Sequence, residues 1–151
     1  TSGGKSMKVK FIKLNNDVPT PVQKTEGSAG FDLTANIPQA IGLQPGVPTK
    51  IPTGIAIEPE KRDCVALLFS RSGLAEHGIT LANSVGVIDS DYRGEISTYL
   101  INNSNDVYIV EPGDRVAQLV FLNTVPIELE LVESLTPTVR GDGGFGHTGR
   151  K

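Results

Sequence analysis

Three adjacent residues in the middle of the chain have the chemistry to bind phosphate. They lie in the segment SRSGLAEHG at 70–78, where Arg71 offers a planar guanidinium, Ser72 a hydroxyl and Gly73 an unshielded backbone N–H group. The apolar run before them predicts a strand, and the segment itself predicts the start of a helix, where free N–H groups favour anions. An ordinary turn with Arg71 in solvent explains the same residues, so this segment alone leaves both interpretations open.

The last twelve residues, RGDGGFGHTGRK from Arg140 to Lys151, contain five glycines, three basic residues and one aromatic ring, that of Phe145. Glycine loses the most conformational entropy on ordering, so the segment is expected to be mobile when nothing is bound. Glycine N–H groups, an arginine fork and a flat ring are also what a lid over a phosphate-bearing ligand needs. A mobile tail without function is the alternative.

A carboxylate that can hold a water molecule occurs in NSVGVIDSDYRGEI at residues 83–96. Val85, Val87 and Ile96 flank a polar turn, which predicts a β-hairpin with Asp89 on one arm. From such an arm Asp89 can lean into a pocket and act as a general base. A carboxylate is a weak base, so its positioning would matter more than its basicity.

Five other residues with reactive or aromatic side chains have plainer explanations. Asp91 is interpreted as a turn-forming residue and Arg93 as a structural ion-pair partner. Tyr92 packs either on a sugar or on the hairpin itself. His77 is interpreted as a surface residue, and Cys64, in the apolar run CVALLF, as a small buried hydrophobic residue.

Two further polar residues interrupt predicted strands. Asp32 lies between Phe31 and Leu33 in AGFDLTA, where a partly buried carboxylate needs an arginine, a backbone group or a metal-bound water as its partner. Gln118 interrupts the apolar strand GDRVAQLVF, so its amide or backbone faces either a ligand or solvent.

The rest of the chain predicts an all-β fold. Short runs with two-residue periodicity, broken by Gly and Pro, recur at a spacing typical of a sandwich or barrel. One short helix is predicted from Ser72 to His77, capped by Ser72 and ended by Gly78. The predicted strand segments are 9–14, 31–35, 51–57, 64–69, 96–100, 116–121 and 127–131.

Composition limits the possible functions. At 151 residues the chain is expected to form one domain, with an aliphatic core because aromatic residues make up only 5% and Trp is absent. A net charge of -3 without a basic block argues against a nucleic-acid partner, and no apolar run is long enough for a membrane span. A single cysteine and the lack of a signal-like segment favour a cytoplasmic, reducing location.

Five segments, taken in order, resemble the five ordered motifs of the trimeric dUTPase family: AGFDLTA, RSGLA, NSVGVIDSDYRGE, GDRVAQL and RGDGGFGHTG. The resemblance implies a distorted jelly roll, a β-clip type barrel, that assembles as a homotrimer with active sites shared between subunits. It implies Mg²⁺-dependent hydrolysis of dUTP to dUMP and pyrophosphate. Residues 7–139 are then expected to form a single β domain and 140–151 a flexible lid from another subunit. Independently of the resemblance, the stretch TSGGKS before Met7 indicates that residues 1–6 are a cloning remnant.

The resemblance also implies a role for each motif residue. Asp89 would activate the water that attacks the α-phosphorus, and Asp32 would reach the metal through a water. The hairpin would read uracil through the Asn83 side chain and main-chain groups and exclude a 5-methyl group, while Tyr92 would exclude a 2′-hydroxyl. The implied substrate-binding residues are Arg71, Ser72, Gly73, Asn83, Gly86, Val87, Ile88, Tyr92, Gln118, Arg140, Phe145, Gly146, His147 and Thr148.

One departure from the family's pattern and two rival functions stand beside this interpretation. The family more often has Ser where this chain has His147, and a protonating imidazole predicts a KM for dUTP that changes between roughly pH 6 and 7.5. A dCTP deaminase of the same fold would use a glutamate and typically Arg-Ser-Ser, whereas this chain has Gly73. The presence of Asp89, Arg71 and the full tail argues against a catalytically idle nucleotide-binding regulator.

Overall fold

The computed structural model describes residues 6–146, and these form ten short strands and one single-turn helix, which confirms the all-β prediction. The elements in chain order are β1 (Val9–Lys13), β2 (Phe31–Thr34), β3 (Ile41–Leu43), β4 (Thr49–Pro59), β5 (Cys64–Phe69), α1 (Ser72–Ala75), β6 (Ile79–Leu81), β7 (Gly86–Asp89), β8 (Ile96–Asn102), β9 (Tyr108–Val110) and β10 (Arg115–Asn123).

Two four-stranded antiparallel sheets enclose the core. The strand order is β1-β4-β8-β6 in the first sheet and β2-β10-β5-β7 in the second, and β3 pairs with β9 in a small third sheet. β7 is therefore an edge strand. One row of its backbone N–H and C=O groups has no partner within the sheet.

The core is aliphatic, as the composition predicts. Along β5 the side chains alternate between buried and half-buried, with Cys64, Ala66 and Leu68 turned inward. Ile51 and Leu100, on neighbouring strands of the other sheet, are completely buried. Burying each large aliphatic side chain contributes about 1.5–3 kcal/mol, so the core holds the strands from which the polar residues project.

The helix is shorter than predicted and is capped differently. α1 covers only Ser72–Ala75, and Arg71 occupies the N-cap position without any side-chain capping hydrogen bond. The prediction of Ser72 as the cap is wrong because the chain stays extended through Arg71, which places Ser72 inside the first turn. Gly78, at φ 79°, ends the following turn as expected, and His77 is exposed. No helix within 6–146 is long and apolar enough to cross a membrane.

β7 and β8 do not form the β-hairpin that the sequence predicts. β7 pairs with β5, whereas β8 pairs with β4 and β6 in the other sheet. The turn containing Asp91, closed by the Tyr92 N–H donating to the Asp89 carbonyl at 3.0 Å, carries the chain between sheets. Apolar alternation identifies each strand but not its partner, which depends on distant segments. Arg93 lies 3.9 Å from the Glu58 carboxylate, which confirms its ion-pair prediction.

Residues 124–139 form no strand, although the alternation of Ile127, Leu129 and Leu131 predicts one. These three side chains are 72%, 94% and 100% exposed. A strand needs a neighbour for its backbone groups and a surface for its apolar face, and this segment has neither within the described part of one chain. We call residues 124–139 the C-terminal arm.

Cys64 is buried at the start of β5, as predicted, and burial raises the pKa of its thiol, with the Asp63 carboxylate acting in the same direction. The thiolate is the reactive form of cysteine. At pH 8 we therefore expect the native protein to react with the thiol reagent DTNB more than about tenfold more slowly than the urea-unfolded protein. Equal rates in the two states would contradict this buried position.

Candidate active site

The polar segment around β7 borders a cavity of about 330 Å³, a size suited to a small-molecule ligand. Six predicted residues come together there: Asn83, Gly86, Val87, Ile88, Asp89 and Tyr92. The remaining lining residues are Lys50, Leu68, Glu95, Ile96, Ser97 and Tyr99. We call this space the β7 cavity.

Asp89 supplies an unpartnered carboxylate to the β7 cavity. It is the last residue of β7, its Cα is opposite that of Val65, and it is exposed. Among the residues that the structure describes, none forms a hydrogen bond or ion pair with its carboxylate. Its carbonyl accepts the Tyr92 N–H, which fixes the turn that follows. The free carboxylate oxygens are available to hold a water molecule.

The other β7 residues reach the cavity through the backbone. A Cβ at Gly86 would lie 3.0 Å from the Leu68 Cβ, so glycine allows β7 to lie close against β5. The Ile88 side chain is buried in the core, while Val87 is 65% exposed. Because β7 is an edge strand, its unpaired N–H and C=O groups can read a planar ligand.

Tyr92 is fixed at the hydroxyl end of its ring. Its Oη donates to the Glu95 carbonyl at 2.9 Å, and the ring lies against the Cα of Gly94. The Glu95 carboxylate in turn accepts the Gly54 N–H at 2.9 Å. The aromatic wall of the cavity is therefore tied to the other sheet.

A second cluster contains the residues predicted to bind phosphate. The Arg71 Nε donates to the Asp32 Oδ1 at 3.1 Å, and the Arg115 Nη1 lies 3.7 Å from the Asp32 Oδ2. The Asp32 side chain is 19% exposed, and two guanidiniums compensate its charge. Of the partners that the sequence allowed for Asp32, the structure contains an arginine.

Gln118, on β10, stabilises this cluster through a hydrogen bond. Its Nε2 donates to the Ser70 carbonyl at 3.0 Å, which fixes the backbone immediately before Arg71. Beyond Arg71, Ser72 and Gly73 are exposed on the first turn of α1. The cluster thus presents a guanidinium, a hydroxyl and a glycine backbone on one rigid support.

Sequence reasoning missed Arg115. In an uninterrupted strand the side chains of Arg115 and Gln118 point to opposite faces of the sheet. A β-bulge at Val116 shifts the register, so that Arg115 is opposite Thr34 while Gln118 remains opposite Asp32. Since Thr34 and Asp32 share a face, so do their partners. Two adjacent apolar residues at the bulge are its only signal in the sequence.

The residues predicted to bind phosphate border a positively charged cavity of about 280 Å³. Arg71, Arg115 and Lys24 all line it. The carboxylate among its lining residues, Asp114, accepts the Glu111 N–H at 2.8 Å. Such a lining attracts an anion, and we call this space the arginine cavity.

The two cavities lie at opposite corners of one sheet face. On β5, Val65 is opposite Asp89 of β7. Phe69, four residues further along β5, is opposite Gln118 of β10, and Gln118 is in turn opposite Asp32 of β2. Three strand spacings, about 14 Å, and four residues, about 13 Å, place the Asp32 and Asp89 Cα atoms about 19 Å apart. Asp89 and the Asp32-bound Arg71 of one copy therefore border two separate cavities.

The described part of the tail forms only local contacts. The Arg140 Nε donates to the Gly143 carbonyl at 2.6 Å, and Phe145 is fully exposed. Gly146 has a φ of 78°, which glycine adopts without strain. The predicted residues His147 and Thr148 lie outside the described residues.

The fold and the two clusters define an all-β protein with a ligand-sized cavity and a separate anion cavity. Residues 16–149 match the family model described as dUTPase. The chain is 45% identical over 150 residues to deoxyuridine 5'-triphosphate nucleotidohydrolases of Salmonella typhimurium and of Enterobacter sp., which covers 97% of this chain and 99% of each relative. The chain belongs to the dUTPase family.

Solved structures of phage dUTPases have the same fold. A variant of the Staphylococcus bacteriophage 80alpha dUTPase superposes with a TM-score of 0.82 at 25% identity, covering 93% of this chain and 98% of that one. Another variant of that enzyme, solved with dUpNHpp, gives 0.80 at 22% identity, with 94% and 98% covered. A dUTPase variant from phage phi11 of S. aureus, described with a structural Mg(II) ion, gives 0.77 at 22%, with 86% and 99% covered.

Proposed function

We propose that this protein hydrolyses dUTP to dUMP and pyrophosphate, the activity for which its 45% identical relatives are named. This reaction lowers dUTP and supplies dUMP for thymidylate synthesis. The observation that carries the proposal is the unpartnered Asp89 carboxylate on the wall of the β7 cavity. It is an enzyme of the dUTP diphosphatase class.

Asp89 acts as the general base. It holds a water by a hydrogen bond and takes a proton from it as the water oxygen bonds to the α-phosphorus. The bond from the α-phosphorus to the bridging oxygen of the β-phosphate breaks, and pyrophosphate leaves with that electron pair. Since a carboxylate is a weak base, alignment of water and phosphorus supplies most of its contribution.

Uracil binds at the free edge of β7. Its N3–H and its two carbonyls complement the unpaired backbone C=O and N–H groups of Gly86, Val87 and Ile88, and Asn83 adds a side-chain amide. The close approach of Gly86 to Leu68 supports a narrow pocket that rejects the 5-methyl group of thymine. Tyr92 packs on the deoxyribose and excludes a 2′-hydroxyl.

The triphosphate binds in the arginine cavity of another copy. Arg71, Ser72, Gly73 and Gln118 hold or support the phosphate chain, as the family resemblance implies. Arg115, which the β-bulge turns toward this cavity, adds a second guanidinium that was not predicted from the sequence. These few placed cations explain how a chain of net charge -3 binds a polyanion.

The donor set fits Mg²⁺ held chiefly by the substrate. Residues 6–146 contain no group of three or more His, Cys, Asp or Glu side chains that could hold a metal. Asp32 is the residue that would contact Mg²⁺. Because two arginines already neutralise its carboxylate, a contact through a water molecule suits it better than direct ligation. When bound, Mg²⁺ would neutralise phosphate charge.

Asp32→Asn tests both roles of this carboxylate. The variant loses the charge that orients Arg71 and Arg115, so the KM for dUTP is expected to rise roughly tenfold, since one charge-assisted hydrogen bond contributes about 1.5 kcal/mol or more. The Mg²⁺ concentration for half-maximal rate should rise as well. Asp106→Asn, an exposed site elsewhere, is the control. An unchanged KM would exclude the anchoring role, and an unchanged Mg²⁺ midpoint would exclude the metal role.

The family resemblance implies a homotrimer with shared active sites, and the separation of about 19 Å estimated above supports sharing between copies. A water at Asp89 must attack a phosphorus whose neighbouring phosphates Arg71 binds, so these two residues at one site come from two copies. The C-terminal arm, with Leu129 and Leu131 fully exposed, supports such an assembly because it has strand alternation without a partner. We infer that the two large sheets form the distorted jelly roll of that trimer.

The tail forms the lid, and the rest of the chain forms one domain. Residues 7–139 carry every described strand, and the segment 140–151 begins where only local turns remain. On substrate binding, Phe145 covers uracil and Arg140, Gly146, His147 and Thr148 surround the distal phosphates. The tail comes from another subunit.

Pyrophosphate release from dUTP, dTTP, dCTP and UTP, with and without Mg²⁺, tests the proposed function. Rapid release from dUTP alone, accelerated by Mg²⁺, is the expected result. Ammonia release from dCTP would indicate the deaminase instead. Tight binding of dUTP without any turnover would indicate a nucleotide-binding regulator.

A further inference from the structure

Gly94, two residues after Tyr92, is a glycine that its own backbone does not require. Among residues 6–146, the glycines with positive φ are Gly46, Gly54, Gly78, Gly113, Gly141 and Gly146, and Gly94 is not one of them. An alanine can adopt its backbone conformation without the left-handed penalty. The reason for glycine at this position must therefore lie in what surrounds it.

The Tyr92 ring fills the space that a side chain at Gly94 would need. A Cβ there would lie 2.5 Å from the Tyr92 Oη, 2.7 Å from its Cζ and 3.0 Å from its Cε1. These separations are well inside normal van der Waals contact for carbon. The hydroxyl half of the ring thus rests directly on the glycine backbone.

The ring is about half exposed and can move, but hydrogen bonds hold it in this position. Its Oη is hydrogen-bonded to the Glu95 carbonyl at 2.9 Å, and its backbone N–H to the Asp89 carbonyl at 3.0 Å. The Glu95 carboxylate is held by the Gly54 N–H of β4, the strand that pairs with β8. A methyl group at Gly94 would break the hydroxyl contact or push the ring toward the β7 cavity.

We propose that Gly94 is a specificity-determining positioning residue: its missing side chain sets the depth of the Tyr92 ring, and that depth excludes a 2′-hydroxyl. The inference rests on the proposed contact between Tyr92 and the sugar. Gly94 touches neither substrate nor water and acts only through the ring. A ring displaced by about 1 Å no longer fits deoxyribose closely enough to distinguish it from ribose.

Gly94→Ala is the first test, with kcat/KM for dUTP and UTP measured in parallel. The ratio of dUTP to UTP efficiency is expected to fall about tenfold or more, through a raised KM for dUTP and a better reaction with UTP. Gly27→Ala is the matched control, because a Cβ at Gly27 has nothing within 4 Å. An unchanged ratio in Gly94→Ala, or a chain that fails to fold while Gly27→Ala folds, would overturn the inference.

A double-mutant cycle with Tyr92→Ala separates positioning from a general structural effect. Without the ring, Gly94→Ala has nothing to displace, so it should change the dUTP to UTP ratio less than twofold in the Tyr92→Ala background. The affinities for dUMP and UMP give the same comparison without turnover. Additive effects would contradict action through the ring. A wild-type protein that does not distinguish dUMP from UMP would instead refute the proposed role of Tyr92.

Discussion

Asp89→Asn is expected to lower kcat for dUTP about 10³-fold, the size of effect typical for loss of a positioned general base. The amide has the shape of the carboxylate but cannot take the proton from the attacking water. Because the Asp89 carboxylate has no partner among the described residues, its replacement leaves no other group unsatisfied. The unfolding temperature and the affinity for the analogue dUpNHpp should therefore stay close to those of the wild type.

Steady-state pyrophosphate release and analogue titration measure these two quantities separately. Asp63→Asn is the matched control, since Asp63 is an exposed carboxylate two residues before Val65, the residue opposite Asp89. Its kcat should match that of the wild type. Turnover of Asp89→Asn within tenfold of the wild type would show that another group activates the water.

Removal of residues 140–151 by truncation after Val139 is expected to reduce kcat/KM about 10²-fold or more without loss of stability. Phe145 is fully exposed and the Arg140 hydrogen bond is local, so the tail adds no core burial. The C-terminal arm is retained in this variant, and with it any contact that it makes in the assembly. Thermal unfolding and sedimentation should match those of the full chain.

Single substitutions separate the contributions of Phe145 and Arg140 to substrate binding by the lid. Phe145→Ala should mainly raise the KM for dUTP because it removes the ring over uracil, while Arg140→Gln should weaken binding of the distal phosphates. Phe145→Leu, which retains apolar cover, is the matched comparison. Normal turnover in the truncated protein would exclude the lid and leave the segment a tail without catalytic function.

Much of this site could be predicted because local sequence determines it. Alternation identified the strands that became β4 and β10, and a continuous apolar run identified β5. The turn residues around Asp91 were recognised by their types. Cys64 and His77 also lie where the sequence predicts, one buried and the other exposed. Each of these features depends on neighbours within a few residues.

Features that depend on distant segments could not be predicted in the same way. Whether β7 pairs with β5 or with β8 depends on how the two sheets assemble from distant segments. The bulge that brings Arg115 to the same face as Gln118 is a register shift relative to β2, another distant segment. The alternation in the C-terminal arm was recognised, but no strand among the described residues pairs with the arm. The cap at α1 was misplaced because the extended path through Arg71 is set by the end of β5.

Subunit complementation tests the central claim, a dUTP-hydrolysing site built from two copies, most directly. Asp89→Asn and Arg71→Ala chains with different tags would be coexpressed, and the mixed trimers purified through both tags. Neither variant alone should hydrolyse dUTP at an appreciable rate. If each site takes Asp89 from one copy and Arg71 from another, every mixed trimer regains one of its three sites, so the purified mixed trimers recover about a third of the wild-type activity. Mixed trimers no more active than the parents would show that both residues serve the same copy's site and would contradict the account.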